Sequence, residues 1–520
     1  VSKFNSWVKG AVRRRSPVVG ELRASGRNHE GGAGFARDLR SELFLFAVSN
    51  FVGESSFYES AAQRDERFGA LVREAAVSDA EWTARLLGWL RGTANIRTAS
   101  LVGAVEFARA RVRAGLPGMS RQVVGSVLQR ADEPGEMLAY CLAAGRAVPK
   151  PIKRGIADAV RRLYSERSYL KWDSALRAVR FADVLELTHP KAVDERQGAL
   201  FARILDDRHG NRVGGHSRAL PVLRARAEVD AGRLRQLIDT DRERASAVIR
   251  SAGLTWEALS GVLPGRMDAA VWEAVVPRLG YMALLRNLRN FDEAGVSDAV
   301  VRQVIGRLTD PEEVARSRQL PLRFLSAHRA TRSLRWAAAL ERALDLSLAN
   351  VPALSGRTLV LVDRSGSMFR PLARRSTVTA ADAAAVFGTA LAVRAERADL
   401  VEFGWTSAAV RVRRRDSVLR MATERFHDLG GTDTRGALVR HLRAHHERVV
   451  LITDEQHHGG ESPLAVVPAR VPVYTWNLVG YRFGHGGSGT RDRHVFGGLS
   501  DAAFGLVPLL EAGRRADWPF

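Results

Sequence analysis

A chain of 520 residues, 46% apolar and 26% charged, has the composition of a folded protein with two or more domains and excludes a disordered or fibrous one. It holds no run of 18 apolar residues, so no membrane span is expected, and its first 30 residues carry charges throughout, without the apolar centre of a signal peptide. The single cysteine, Cys141, excludes an internal disulfide framework and a multi-thiolate zinc site and fits a reducing, cytoplasmic compartment, while the net charge of +22 marks a candidate polyanion binder.

Residues 1–27 carry Lys3, Lys9, Arg13, Arg14 and Arg15, either a basic arm for nucleic acid or a charged terminus. A glycine-rich turn follows at 28–34. From Asp38 to about Asn350 the pattern is helical almost throughout. In one helix Ile152, Ile156, Val160 and Leu163 recur at helical spacing while Lys153, Arg154, Arg161 and Arg162 occupy other faces, and Pro149 and Pro151 mark its start beside Lys150. Ser297 is a candidate N-cap for the helix ending near Leu308. Breaks rich in Gly, Pro, Asp or Asn separate the helices, at Gly115, Pro117, Pro134, Gly261, Pro264 and Pro311 for example. Some three hundred residues of short helices without strands predict a helical-repeat solenoid, although no fixed repeat length stands out. Cys141 sits in an apolar stretch and reads as packing.

Basic residues are interleaved with aromatics between 150 and 191. Arginine offers bidentate phosphate contacts, lysine a point charge, and flat rings stack on unpaired bases. Tyr164, Tyr169, Trp172 and Phe181 lie among Lys171, Arg177, Arg180 and Lys191, although each ring reads more readily as a core position than as a stacking platform. Arg286 and Arg289, beside Asn287 and Asn290, either face a polyanion or brace neighbouring helices.

From residue 355 the pattern changes. The run 358–363 is apolar or β-branched until its closing Asp363, as expected for a central parallel strand covered on both faces. Ligands in such sheets sit beyond the carboxyl ends of the strands. Ser365 and Ser367 follow at once, and Gly366 lets the backbone turn between them. A carboxylate with two hydroxyls is a hard ligand set suited to Mg²⁺ or Mn²⁺. Later loops supply Thr432, ahead of a helix expected over 434–446, and Asp454, at the end of a second buried run from Val449. Thr379 and Asp382 have the spacing of a capping box opening a helix over 380–397. Strands are expected at 399–403, 408–413 and 471–478, a final helix at 502–512, and a mobile loop at 480–498. Alternating β and α elements predict a doubly wound, Rossmann-like parallel sheet. Adjacent His457 and His458 rarely converge on one ion, and the arginines of 411–415 read as a solvated strand end. There is no P-loop, no nucleophile–base pair and no dense carboxylate cluster of the two-metal nuclease kind, so catalysis is not expected.

The D-x-S-G-S-M spacing at 363–368, with Thr432 and Asp454 in order behind it, resembles the metal-ion-dependent adhesion site of von Willebrand factor A-type domains. The helical part carries Asn28-His29-Glu30-Gly31-Gly32 with Leu43 to Phe46 and Phe57-Tyr58, then Trp172 to Arg180 and Asp183 to Lys191, then Met282 to Asn290, then Arg318 to Arg323. In this order, and followed by an A-type domain, these stretches resemble the TROVE-domain proteins, the family of the animal Ro autoantigen and its bacterial relatives. The resemblance implies a TROVE ring of HEAT-like helix pairs over 1–354, closed and monomeric, and an A-type domain over 355–520. It also implies a non-catalytic RNA-binding protein that takes Y RNA and single-stranded RNA ends, works with an exoribonuclease in RNA quality control, maturation or decay, and holds Mg²⁺ with a position open to an acidic protein ligand. His189 falls where the family's RNA-binding histidine lies, with Lys171, Arg177 and Arg180 on the neighbouring basic helix. Two other readings stand beside this one: a metal-dependent adhesion module whose basic solenoid binds acidic proteins, and a ribonuclease with an unrecognised site.

Overall fold

The computed structural model describes residues 16–520 apart from 144, 146, 211–217, 332, 375, 414, 415, 491, 513 and 515. Lys3, Lys9, Arg13, Arg14 and Arg15, and the last two arginines of the 411–415 run, lie outside the described residues.

The chain forms two compact units that are interleaved in sequence. One comprises Val1–Leu71, Arg318–Arg329 and Ala337–Phe520; the other comprises Val72–Ser317 and Ala330–Trp336. Twenty α-helices lie between Leu39 and Ser347 among the described residues, as the 3.6-residue periodicity anticipates.

In the helical unit, Lys150–Leu163 starts after Pro149, buries Ile152, Ile156 and Val160, and turns its basic residues outward. Gly155 allows close packing against Ser120–Val127: a Cβ there would lie 2.7 Å from the Arg121 carbonyl oxygen. Cys141 is buried among apolar neighbours, and burial pushes its thiol up to about 11, which makes it inert.

In the other unit, the short antiparallel pair β1 (Gly26–Arg27) and β2 (Ala33–Gly34) precedes a six-stranded sheet. Its strands are β3 (Arg357–Asp363), β4 (Arg397–Phe403), β5 (Ser407–Val410), β6 (Arg448–Thr453), β7 (Val473–Asn477) and β8 (Arg493–Gly497). The spatial order is β5-β4-β3-β6-β7-β8, parallel except for antiparallel β5 at one edge. Alternation along β3 explains why it is apolar on both faces. Leu359 and Leu361 enter the core with Val449, Leu451 and Leu438, while Val362 meets the opposite helix, Ala380–Arg394, at Gly388. Thr379 and Asp382 form the expected capping box.

Three local expectations are corrected. The segment 480–498 is not simply a loop: it contains β8, a parallel edge strand whose Val495 and Phe496 are buried. The helix after Thr432 ends at His441 rather than His446, because His446 turns back to accept from the Arg443 backbone N–H. The final helix opens as a 3₁₀ turn, Asp501–Gly505, before Leu506–Glu511.

Candidate metal site and basic surface

Asp363 closes β3, and Asp454 directly follows β6, the parallel strand beside it. That pairing brings Thr453 beside Asp363, and its hydroxyl donates to Asp363 Oδ2 at 2.5 Å. Asp363 Oδ1 accepts from the Ser365 backbone N–H at 2.9 Å, and the Ser365 and Ser367 hydroxyls lie 3.1 Å apart. Gly366 has no positive φ; its N–H donates to the Gly430 carbonyl at 2.5 Å and so ties the serine loop to the threonine loop. Thr432 follows directly, and its carbonyl accepts from His458 N–H at 3.4 Å. Asp363, Ser365, Ser367, Thr432 and Asp454 are all buried. The five predicted residues thus share one end of the sheet, on three loops joined by backbone hydrogen bonds.

The electrostatics favour a cation. Neither aspartate is hydrogen-bonded to a basic side chain among the described residues. Arg364, next in sequence, is turned away and donates to the Ala381 and His427 carbonyls. Burial holds the Asp363 carboxyl above its usual range. Burial and then the Asp363 charge push Asp454 up to about 8, although the Gln456 N–H donates to it at 3.1 Å. Asp454 Oδ2 is buried with no hydrogen-bond partner. Two desolvated carboxylates, one with an orphaned oxygen, beside three hydroxyls make a donor set that a hard divalent cation would satisfy.

The sequence reading missed what surrounds this mouth. The Asn28–Gly32 turn belongs to the same compact unit and folds onto the loop after β6. Asn28 Nδ2 lies 2.8 Å from His457 Nδ1 and donates to the His457 carbonyl at 3.1 Å, while His29 N–H donates to Gln456 Oε1 at 2.8 Å. Glu30 accepts from Tyr58 OH and pairs with His458 Nε2 at 2.6 Å. His457 and His458 therefore face different partners. Trp405, 63% exposed, stands beside the His458 ring with centroids 5.1 Å apart. The only signal for the turn was the N-H-E-G-G motif itself, which carries no position.

A second donor cluster, Asp399 with His445 and His446, lies in the sheet unit at the opposite ends of the strands. Its donors are spent on the protein. His446 Nδ1 accepts from Arg443 N–H, so Nε2 carries the proton and donates to Asp399, which also binds Arg357.

The candidate RNA residues divide by their partners. Arg177 pairs with Asp132 and Glu136, Arg180 with Asp173, and Arg289 with Glu293. Lys150, Lys153, Arg154, Lys191 and Arg286 form no ion pair among the described residues, and all but half-buried Lys153 are exposed. Lys150 and Arg154 sit four residues apart on one helical face, and Arg161, also exposed, extends it. Lys171 lies over the Trp172 ring, which Arg130 also covers. His189 is exposed and ends Phe181–Thr188 in the left-handed region at φ 47°. Tyr164 and Phe181 are buried and stacked on each other, so they are core.

Comparison with known proteins agrees with this architecture. The TROVE domain family pattern matches residues 251–342. The chain is 29% identical over 372 residues to "RNA-binding protein RO60" of Deinococcus radiodurans; the match covers 66% of this chain and 66%, just under two thirds, of that protein. A 76-residue stretch is 41% identical to "Telomerase protein component 1" of Rattus norvegicus, covering 14% of this chain and 3% of that one. The crystal structure of the D. radiodurans RO (RSR) protein superposes with a TM-score of 0.60 at 21% identity, over 92% of this chain and 100% of that one, and shares the fold. Residues 251–342 thus match the TROVE domain, and a bacterial Ro protein is among the proteins that the chain resembles in sequence and fold.

Proposed function

We propose that the chain is a non-catalytic RNA-binding protein whose helical unit captures RNA through phosphate contacts and whose sheet unit holds a divalent cation for a protein partner. The observation that carries the first half is the face of Lys150, Lys153 and Arg154, which form no ion pair among the described residues, extended by exposed Arg161. The D. radiodurans relative, whose name records RNA binding, supports it. His189, Lys171, Lys191 and Arg286 extend the contact. Arg177, Arg180 and Arg289, already paired, set its shape by holding neighbouring segments. The substrates are Y RNA and structured RNAs with single-stranded ends. The protein is a scaffold in the cytoplasm for an exoribonuclease that matures or degrades them. The sheet-unit site holds Mg²⁺, or Mn²⁺, through Asp363, Ser365, Ser367, Thr432 and Asp454, partly by way of water.

The test is titration of the purified chain with a duplex bearing a single-stranded tail and with its blunt counterpart, at one fixed salt concentration. Tighter binding of the tailed RNA, weakened by Lys153→Ala with Arg154→Ala and by His189→Ser, is the expected result. Equal affinity for both RNAs overturns the preference for ends. RNA incubated with the protein stays intact without an added exonuclease. Cleavage that survives stringent repurification and vanishes in a single-residue variant overturns the non-catalytic reading.

A second reading, a metal-dependent adhesion module for acidic proteins, is favoured by the orphaned Asp454 oxygen and the exposed Trp405. RNA copurification after gentle lysis separates the two.

A further inference from the structure

Glu30 is far from Asp454 in sequence yet is held at the mouth of the same site. Its two carboxylate oxygens are fixed separately, one by Tyr58 OH and the other by His458 Nε2. The His458 ring lies against the Gly431–Thr432 turn: its Nε2 is 3.5 Å from where a Gly431 Cβ would stand, and the His458 N–H donates to the Thr432 carbonyl. On the other side, His29 N–H binds Gln456 Oε1, and Gln456 N–H binds Asp454 Oδ1. Glu30 is thus tied through one residue to the Thr432 loop and through two to the Asp454 loop. Its side chain is 19% exposed, buried enough to hold its place and open enough to meet solvent at the mouth. Glu30 also acts on Asp454 as a like charge, and Asp454 Oδ2 has no hydrogen bond to offset it.

Three carboxylates, Asp363, Asp454 and Glu30, therefore stand on segments tied to one another, and neither aspartate is hydrogen-bonded to a basic side chain among the described residues. Repulsion of this kind is a cost that a divalent cation removes. From this, and resting on the metal reading above, we propose that Glu30 is a built-in acidic ligand of the metal site, which serves the position left open by the other five residues and which an acidic group from a partner must displace. Tyr58 and His458 are its positioning residues. They hold the carboxylate ready without neutralising it through an arginine or lysine.

The experiment is calorimetric titration of the full chain with MgCl₂, then with acetate at saturating Mg²⁺, in wild type, Glu30→Gln and Asp363→Ala. Glu30→Gln is expected to bind Mg²⁺ at least fivefold more weakly and, once loaded, to bind acetate at least fivefold more tightly, because the internal competitor is gone. Mg²⁺ and acetate affinities unchanged in Glu30→Gln, with Mg²⁺ binding lost in Asp363→Ala, overturn the Glu30 assignment and leave the metal site standing. A wild type that binds no Mg²⁺ overturns both. Should Glu30→Gln fail to fold, Glu30→Asp withdraws the carboxylate by one methylene and carries the same test: unchanged affinities there overturn the assignment.

Discussion

Single residues show most sharply where the sequence was readable. Asp363, Ser365, Ser367 and Asp454 could be put forward because each closes or follows a buried strand, and strand ends are visible in apolar runs, while Thr432 was put forward from its place ahead of a helix. Glu30, His29 and Tyr58 could not, since their role depends on a chain reversal that no local pattern encodes. The same limit hid a buried histidine pair behind the site. His457 and His485 are each 1% exposed, and burial, the largest cause for both, holds each down to about 4. The unfolded chain takes up these protons near the ordinary 6.5 while the folded chain does not. Stability that is full above pH 6.5 is therefore lost as pH falls toward 4, at about 1.4 kcal/mol per pH unit for each histidine. His485 Nδ1 has no hydrogen-bond partner, so a neutral replacement removes the titration without breaking a bond at that atom. His485→Gln is expected to flatten the fall in melting midpoint between pH 6.5 and 4.5 relative to wild type. Parallel pH profiles for the two proteins would show that His485 titrates in the folded state.

Elements were legible in proportion to their periodicity. The buried strands β3, β4, β6 and β7 and the helix Lys150–Leu163 follow their patterns closely. β8 was hidden because Arg493 and His494 open it within a segment dense in glycine, and because its role is to extend the edge beside β7, a long-range pairing. The interleaving of the compact units was hidden for the same reason: contacts between 16–71 and the sheet region join residues far apart in the chain, such as Arg37 with Glu455 and Arg64 with Val479. The helix Ala380–Arg394 shows what such packing demands. Its Gly388 lies so close to β3 that a Cβ would meet Val362 Cγ2 at 2.3 Å, one residue before Asp363. Overpacking of this kind costs about 1–3 kcal/mol. Gly388→Ala is expected to lower the melting midpoint and, by shifting the end of β3, to weaken Mg²⁺ binding as well. Thr379→Ala removes only the N-cap, whose hydroxyl accepts from Asp382 N–H at 3.1 Å; it should cost about 1 kcal/mol and leave Mg²⁺ affinity unchanged. Comparing the two variants by thermal melting and calorimetry separates strain at the site from simple loss of a cap.

Across the whole molecule, net charge is a poorer guide than it looks in sequence. Residues 356–520 hold 23 Lys+Arg against 17 Asp+Glu, a net +6, which leaves +16 for the rest and points to the helical part as the RNA binder. The compact units divide it differently. Val72–Ser317 with Ala330–Trp336 hold 41 Lys+Arg against 30 Asp+Glu, a net +11, which is half of the total +22. What distinguishes the helical unit is the display of charge: many of its arginines are paired with carboxylates, and the exposed face of Lys150–Leu163 is not. The candidate metal site has the opposite character, with Asp363 and Asp454 at the ends of neighbouring strands and Glu30 on the turn that folds onto the loop after β6. A phosphate chain would be repelled there except by a direct bond to the cation, so RNA capture and cation binding should separate. Asp363→Ala is expected to abolish Mg²⁺ binding while leaving RNA affinity within about threefold, under ~0.7 kcal/mol. Lys153→Ala with Arg154→Ala should do the reverse, and should also flatten the dependence of RNA affinity on salt, because fewer counterions are released when fewer phosphates are neutralised. RNA titration across a salt series, with Mg²⁺ calorimetry on the same preparations, reads both effects. A tenfold loss of RNA affinity in folded Asp363→Ala would mean that the cation touches RNA directly, and that the cationic helix face serves only to bring the strand to it.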